Sequence, residues 1–377
     1  MPTRRSVLAL LGAAPFAAGC EQTNLPDPIA AWRAPGAGEA DPRRYALAHA
    51  ILAPNPHNLQ PWLVDLVGAD EIHLSVDQTR LLPATDPPNR QITIGCGAFL
   101  ELLDLAARQA GYRADMALWP QGEPQPVLDA RPVAHIRLTA APAAPKDPLF
   151  AQIIARRTNR EPYDMARVPA ADALAAVTQA ATAPGLFAAT SADPAFCAKL
   201  RDIVWRGWTR EMATPQALKE SVDVMRLGKA EIAQYRDGIS MDFAMLEPMK
   251  ALGLISHKTL LDPNSEANKQ GAKMWKAMAD TAPAFFWIKS AENSRATQIA
   301  AGRAYARANL AATAAGLSMH PWSMALQEYP EMADLYAAQQ QMLDASAVAP
   351  AQMLVRIGYA KVIAPAPRRG LGAHIRA

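Results

Sequence analysis

From 43 to 53, apolar side chains recur at helical spacing in RRYALAHAILA, and from 62 to 77 WLVDLVGADEIHLSVD alternates apolar and polar positions around a Gly-Ala-Asp turn. Alternation of period two about a turn cluster predicts a β-hairpin. A longer apolar-periodic stretch at about 94–111 ends on Gly111, and glycine suits the left-handed residue that follows a helix. Two short runs, ADMALWP and VAHIRLT, read as strands and close this region near 140.

A second region repeats the pattern. DPLFAQIIARRTNREPYD at 147–164 reads as a helix ending in a basic loop, and LFAAT as a strand. A mostly helical stretch dense in Met and Trp runs from 194 to about 276. AFFWIKS at 284–290 then reads as a strand, 295–315 as a helix stopped by Gly316, EMADLYAAQQQML as a short helix, and MLVRIGYA at 353–360 as a last strand. Helix, strand, central alanine-rich helix and strand thus occur twice, in 43–145 and again in 146–377, with a helical insertion in the second copy. Two such copies predict an α+β fold packed as an intramolecular pseudo-dimer rather than a doubly wound parallel sheet.

Composition adds little to this and the N-terminus adds more. Half of the 377 residues are hydrophobic and 19% are charged, as in an ordinary globular protein, and the 32 prolines fall mainly between periodic segments. Residues 1–20, MPTRRSVLALLGAAPFAAGC, have a short charged start, an uncharged apolar stretch at 7–18 and small residues before Cys20. That stretch is far short of the roughly 20 residues a spanning helix needs, so it reads as an export signal. Arg4 and Arg5 resemble the twin-arginine signal of proteins exported already folded, and the run up to Cys20 resembles a lipoprotein cleavage box. The expectation is a periplasmic or cell-envelope protein with Cys20 as a lipid-anchor site. Residues 21–42, rich in Pro, Gly and Ala, read as a loosely ordered tether. Of the formal charge of +3, Arg4 and Arg5 supply two, which leaves +1, and no basic run interleaved with aromatics argues for nucleic acid. Cys96 and Cys197 read as buried thiols.

Three distant stretches could carry chemistry. APNPHNLQPW at 53–62 places Pro54, Asn55, Pro56, Asn58 and Gln60 in a loop stiffened by three prolines and rich in amides. Arg156, Arg157, Thr158 and Arg160 gather three guanidinium groups and a hydroxyl, and the planar guanidinium fork matches phosphate bidentately. A solvated basic turn would look the same in sequence. The stretch 316–332 carries His320, Trp322, Gln327 and Glu328, and the tail brings Arg368 and Arg369.

Together these residues resemble the nitroreductase family of FMN flavoproteins. Pro54, Asn55, Pro56, Asn58, Gln60, Pro61 and Trp62 match the family's loop over the isoalloxazine, and Arg156, Thr158 and Arg160 match the basic motif at the FMN phosphate and the pyrimidine side of the ring. The ending IGYAK followed by Pro367, Arg368 and Arg369 is similar to the family's final strand and phosphate-binding tail, and Gln327 and Glu328 fall where the family approaches flavin N5. The resemblance covers nearly all of 43–377. The first copy has no full basic motif and the second has no Asn-x-Gln-Pro-Trp loop, so each keeps one complementary part of a site. This implies a monomer acting as a pseudo-dimer with one FMN between its halves, as in the Acg-like branch.

Other chemistries lack support. Leu100 stands at the third glycine position after Gly95 and Gly97, against a dinucleotide loop. No metal-site spacing and no Gly-x-Ser-x-Gly elbow occurs. The Met-rich run at 212–249 reads as core or lid packing, since Met fills irregular gaps. The resemblance implies an FMN-dependent oxidoreductase passing electrons to or from a small conjugated molecule, with no catalytic acid or base, because the cofactor carries that chemistry. Two alternatives remain: an FMN storage or sequestration protein, and a lipid-anchored module for another phosphate-bearing ligand.

Overall fold

The computed structural model describes residues 25–376, so the expected export signal with Arg4, Arg5 and Cys20 lies outside the described residues. The part of the expected tether that is described is packed rather than loose. Trp32 is buried, its indole N–H donates to Ala366 O, and Pro28 O accepts from Arg368 N.

In the first half, helix α1 (Pro42–Ala50) starts with Asp41 accepting from Arg43 N and with Pro42 in its first turn, where the missing N–H costs nothing. Strands β1 (Trp62–Val67) and β2 (Glu71–Val76) form the expected hairpin, with Trp62 opposite Val76 and Gly68 at positive φ in the turn. Helix α2 (Arg90–Gln109) begins four residues before the predicted start. The Asp86 carboxylate accepts from Gln91 N and Ile92 N, meeting two otherwise unpaired donors of the first turn. Strands β3 (Tyr112–Leu118) and β4 (Ala134–Ala140) complete an antiparallel sheet of order β1-β2-β4-β3.

The second half repeats this order around an insertion. Helix α3 (Ala171–Ala180) leads to β5 (Leu186–Ser191). The insertion then runs through α4 (Pro194–Ala213), α5 (Pro215–Asp223), β6 (Met225–Leu227), α6 (Lys229–Tyr235), β7 (Ile239–Met241), α7 (Leu246–Ala251), α8 (His257–Leu260) and α9 (Glu266–Asp280). After it come β8 (Ala284–Ser290), α10 (Arg295–Ala314), β9 (Ser318–Pro321), α11 (Ala333–Met342) and β10 (Ala351–Gly358). The second sheet has order β5-β8-β10-β9, strand for strand the order of the first. The α+β expectation therefore holds, and the insertion occupies the place of the three-residue turn between β1 and β2.

Two expectations need correction. The helix expected at 147–164 is only a 3-10 turn (Pro148–Gln152), because the chain beyond it is drawn out beside β9: Thr158 bridges Met319 and Asn159 N donates to Met319 O. The counterpart of α1 is instead α3, which precedes the first strand of its sheet and packs on α10 as α1 packs on α2. Residues 318–321, to which the sequence pattern assigns no strand, form β9 along β10, with His320 opposite Arg356.

The halves meet where α2 crosses α10. A Cβ on Gly97 would overlap Ile299 O and lie 2.9 Å from Gly302 Cα, and a Cβ on Gly302 would overlap Ile94 O and lie 2.9 Å from Gly97 Cα. Each isoleucine stands three residues before its own glycine, so the contact is reciprocal about a pseudo-two-fold axis. Only glycine permits backbones this close. Ile299, Ala306 and Leu310 of α10 join the core of the first half, and Ile94 of α2 joins that of the second. Cys96 and Cys197 are buried free thiols. Among the described residues no helix is long and apolar enough to cross a membrane.

Candidate flavin site between the halves

The loop after α1 holds three non-glycine residues at positive φ, His57, Asn58 and Gln60, at 46°, 55° and 53°. Each such residue is unfavourable alone and persists only where its surroundings fix it. Asn55 Oδ1 accepts from Gln60 N at 2.8 Å, and Asn58 donates to Pro367 O at 3.0 Å. The buried Gln60 accepts from Arg369 N and donates to Arg236 O of the insertion, both at 2.9 Å. Asn58 and Gln60 thus hold the loop's shape and tie it to the tail and the insertion. Pro54, Asn55, Pro56 and His57 are the loop residues that line a cavity of about 430 Å³.

The basic stretch is held by β10 and β9. The buried Arg356 donates to Glu161 O at 3.0 Å and to His320 Nδ1 at 3.1 Å, and Asn159 donates to Lys361 O at 2.8 Å. Thr158 and Arg160 line the cavity, whereas Arg156 and Arg157 lie behind it around Trp32, their guanidinium carbons 5.8 Å and 5.1 Å from its ring. Arg368 joins them at 5.3 Å. Burial lowers all three: Arg156 to about 10, Arg157 below its ordinary value, and Arg368 well below, with Arg156 and Arg157 adding like-charge repulsion there.

These arginines differ in how far they are used. Arg368 donates to Ile51 O, Leu52 O and Ala53 O, the free carbonyls where α1 ends, so its charge meets the negative end of the helix. Arg369 donates to Gln60 O. Arg157 is spent on Ile154 O and Arg156 O. Arg156 reaches Leu52 O with one nitrogen, and among the described residues its Nε and Nη1 have no partner; neither does Arg160 Nε. Among the described residues none of Arg156, Arg157, Arg160, Arg368 and Arg369 forms a salt bridge with a carboxylate. Buried cations without anions are costly, and an anionic, acceptor-rich ligand fits what is left open.

The rest of the cavity is largely apolar. Small residues of α2, Gly95 and Ala98, form one wall with Ile94, and Tyr305 comes from α10. His57 is held down to about 4 by burial and by Arg160, and His320 well below its ordinary value by burial, Arg356 and Arg160. Both are therefore neutral at pH 7. The insertion supplies Trp208, Trp275, Met212, Met225, Met241 and Met249, so the Met-rich run is cavity wall. It also supplies the buried Glu211, which burial pushes up while hydrogen bonds from Ser221 and Gln327 pull it down. Asp86, at the start of α2, is raised to about 7 by burial.

Glu328 does not reach the cavity. It pairs with the buried Arg90 of α2 at 2.6 Å, and Arg90 also donates to Leu326 O and Gln352 O, so this arginine ties the halves together and takes up the carboxylate. Gln327 does line the cavity, with its Oε1 unpartnered. The loop and the basic stretch carry motifs, but Asp86, Gln91, Glu211, Trp208, Trp275 and Tyr305 were not marked by any local pattern.

No protein-family model matches the chain. An uncharacterised protein of Mycobacterium tuberculosis is 34% identical over 125 residues, 32% of this chain and 35% of that one, so the chain spans about a third of the length of the first curated relatives it matches. A second protein of that organism, provisionally named an NAD(P)H nitroreductase, is 26% identical over 338 residues, 88% of this chain and 90% of its own. A third, provisionally named NAD(P)H nitroreductase Acg, is 37% identical over 76 residues, 20% of this chain and 22% of its own. The solved FMN-dependent nitroreductase NfnB of Mycobacterium smegmatis, in complex with NADPH, overlaps with TM-score 0.35 at 19% identity, over 60% of this chain and 96% of that one. A nitroreductase of Bacteroides fragilis with bound FMN overlaps with TM-score 0.33 at 16% identity, over 58% and 91%. Overlaps this loose leave the duplicated sheets as the description of the fold. In sequence the chain thus resembles one relative provisionally named a nitroreductase along 88% of its length.

Proposed function

We infer that this chain is an FMN-dependent oxidoreductase of nitroreductase type, with one flavin held between its two halves. The observation that carries this reading is the buried Arg156, beside Arg157 and Arg160: among the described residues two of its nitrogens have no partner and no carboxylate pairs any of the three. FMN brings a phosphate for such a cluster and, when bound, supplies reversible hydride or electron-pair chemistry. Arg156 and Thr158 would hold the phosphate and ribityl chain, with the charge of Arg157, its donors already used, behind them. Arg160, on the cavity wall, would offset negative charge on the reduced ring, a fixed cation needing little reorganisation when charge develops. Pro54 to His57 would cap one face of the ring, with the flat wall at Gly95 and Ala98 near it. The insertion lines the cavity with Trp and Met side chains, and an apolar wall of low dielectric strengthens these electrostatic effects.

The test is the visible spectrum of the purified chain after FMN loading, followed by anaerobic NADPH. Flavin bands that bleach support the reading, and a colourless protein that takes up no FMN overturns it. The cover provided by Trp208, Trp275 and the methionines also favours the storage reading. Flavin that binds but is reduced by neither NADPH nor dithionite-generated low-potential donors selects that alternative.

Export belongs to the same reading, supported by Arg4, Arg5 and the small residues before Cys20. A flavoprotein that loads its cofactor in the cytoplasm is stabilised in the folded form that the twin-arginine route carries. Cell fractionation of the wild type and of a variant with Arg4→Lys and Arg5→Lys tests it. Envelope location lost in the variant supports it, and equal cytoplasmic retention of both overturns it.

A further inference from the structure

Among the described residues that line the cavity, four polar side-chain atoms are buried without a partner: His57 Nδ1, Gln91 Nε2, Arg160 Nε and Gln327 Oε1. The first three come from the loop, α2 and the basic stretch. The fourth is an amide oxygen that can only accept, and the insertion fixes which way it is presented. Gln327 Nε2 donates to Glu211 Oε2 at 2.8 Å, and Ser221 Oγ donates to Glu211 Oε1 at 2.9 Å. With Glu211 ionised, both its oxygens accept, and the Gln327 amide faces it with its NH2. The carbonyl is left over.

Trp208 and Trp275 of the insertion line the same cavity as this oxygen. Trp208, one turn before Glu211 on α4, stacks on Trp205 with ring centres 5.0 Å apart and on Trp275 of α9 at 6.0 Å with the planes 24° apart. Met212 and Met274 also line the space, and such thioethers adapt to the outline of a ring. A buried acceptor without a partner carries a penalty that a ligand donor removes.

We propose that the insertion forms a substrate subsite for a flat, apolar ring system bearing a hydroxyl or amine hydrogen, which donates to Gln327 Oε1, and that Glu211 is the positioning residue that turns that oxygen outward. The proposal rests on the reading of the cavity as a flavin-and-substrate site and adds the chemical class of the second ligand. Glu211 acts through Gln327, because its two carboxylate oxygens are engaged by Gln327 and Ser221. A glutamine at 211 could offer Gln327 either a donor or an acceptor, so the amide would no longer be held in one orientation.

The experiment is calorimetric titration of the FMN-treated full chain with 2-naphthol and with its methyl ether, 2-methoxynaphthalene, which has the same rings but no donor. The wild type is expected to bind the naphthol about tenfold tighter than the ether, the scale of satisfying one buried acceptor. That ratio should fall to near one in Glu211→Gln and in Gln327→Met, while the ether keeps its affinity within about twofold. A structural role alone would weaken both ligands together. No naphthol preference in the wild type, or a preference surviving in both variants, overturns the proposal. Flavin bands recorded on the same samples separate the two readings: discrimination without bound FMN sinks the flavin assignment alone, and bound FMN without discrimination sinks the subsite alone.

Discussion

The α2–α10 crossing has two faces related by its pseudo-two-fold axis, and they have opposite contents. On one face, the residues two before and one after Gly97 are Gly95 and Ala98, which leave a flat wall for the cavity. On the other, the same positions around Gly302 are Ala300 and Arg303, lining a polar recess beside Thr182 and Ala183 of the α3–β5 connection. That connection is the counterpart of the loop at 53–62. Arg303 pairs with Glu101 at 2.8 Å and Asp104 at 3.1 Å, and Arg307 pairs with Glu101 at 2.8 Å and Asp147 at 2.9 Å. One face holds cations waiting for an anion, while the other supplies its own anions. A duplicated scaffold thus offers two equivalent recesses, and side-chain charge decides which is open to a ligand.

The crossing itself is the first place to break this comparison, since both faces depend on it. Gly302→Leu forces a side chain into Ile94 O and Gly97 Cα with no flexible atom to yield, so both recesses should be lost. The expected cost is roughly 4 kcal/mol or more, seen as absence of a cooperative thermal transition in the soluble fraction. Normal melting with retained flavin binding would show that the halves do not need this contact.

The next largest effect should separate the faces. Replacing Arg156 and Arg160 together by Ala removes the unpartnered guanidinium donors of the basic stretch, and FMN affinity should fall at least about 100-fold, the scale of two charge-assisted hydrogen bonds. Melting of the flavin-free protein should change little or rise, because buried like charges are removed. Full flavin occupancy in this variant would remove the phosphate assignment. Glu101→Ala is the converse. It strips the closed face of the carboxylate that serves both Arg303 and Arg307, whose side chains are about a third exposed. Partial exposure limits the cost to about 1–3 kcal/mol by denaturant titration, with one FMN per chain as before. A second flavin equivalent bound by this variant would show that charge alone had closed the recess.

How much of this was legible in the sequence differs between the faces. The hairpin at 62–76 was readable because one side of each strand is buried and the other is not. The loop at 53–62 and the arginines at 156–160 were readable because their chemistry is concentrated in a few adjacent residues. Helix α2 starts earlier than its pattern suggests because Ile92, Thr93 and Ile94 are β-branched, and the gain comes from Asp86, outside the helix. Helix α3 is rich in alanine and buries only Leu174 and Val177, too little for a periodic signal. Gly97 and Gly302 looked like unrelated small residues, since reciprocity exists only once two distant helices cross. Glu328 shows the reverse error: its neighbourhood in the sequence pointed to the flavin, but Arg90, 238 residues away, holds it elsewhere.

The smallest expected effect tests whether the open face carries an uncompensated acid as well as uncompensated cations. Asp86 is buried there, accepts from Gln91 N and Ile92 N of α2, and is pushed by burial from an ordinary value near 4 up to about 7. A carboxyl raised by folding stays protonated in the native state between those values while the unfolded chain has already lost the proton. Its contribution is complete below about pH 4 and declines as pH rises to about 7, with a limiting slope of about 1.4 kcal/mol per pH unit. His57 and His374, lowered to about 4 and about 3, act in the opposite direction, adding stability as pH rises from there toward 6.5. The wild-type profile therefore mixes both trends, and the difference between wild type and Asp86→Asn isolates the acid. Denaturant titrations from pH 5 to 7.5 should show the wild type losing stability relative to the variant as pH rises, even if the variant is less stable throughout through weaker capping of α2. A difference independent of pH would mean that Asp86 is ionised across the range and that the cations of the open face already compensate it.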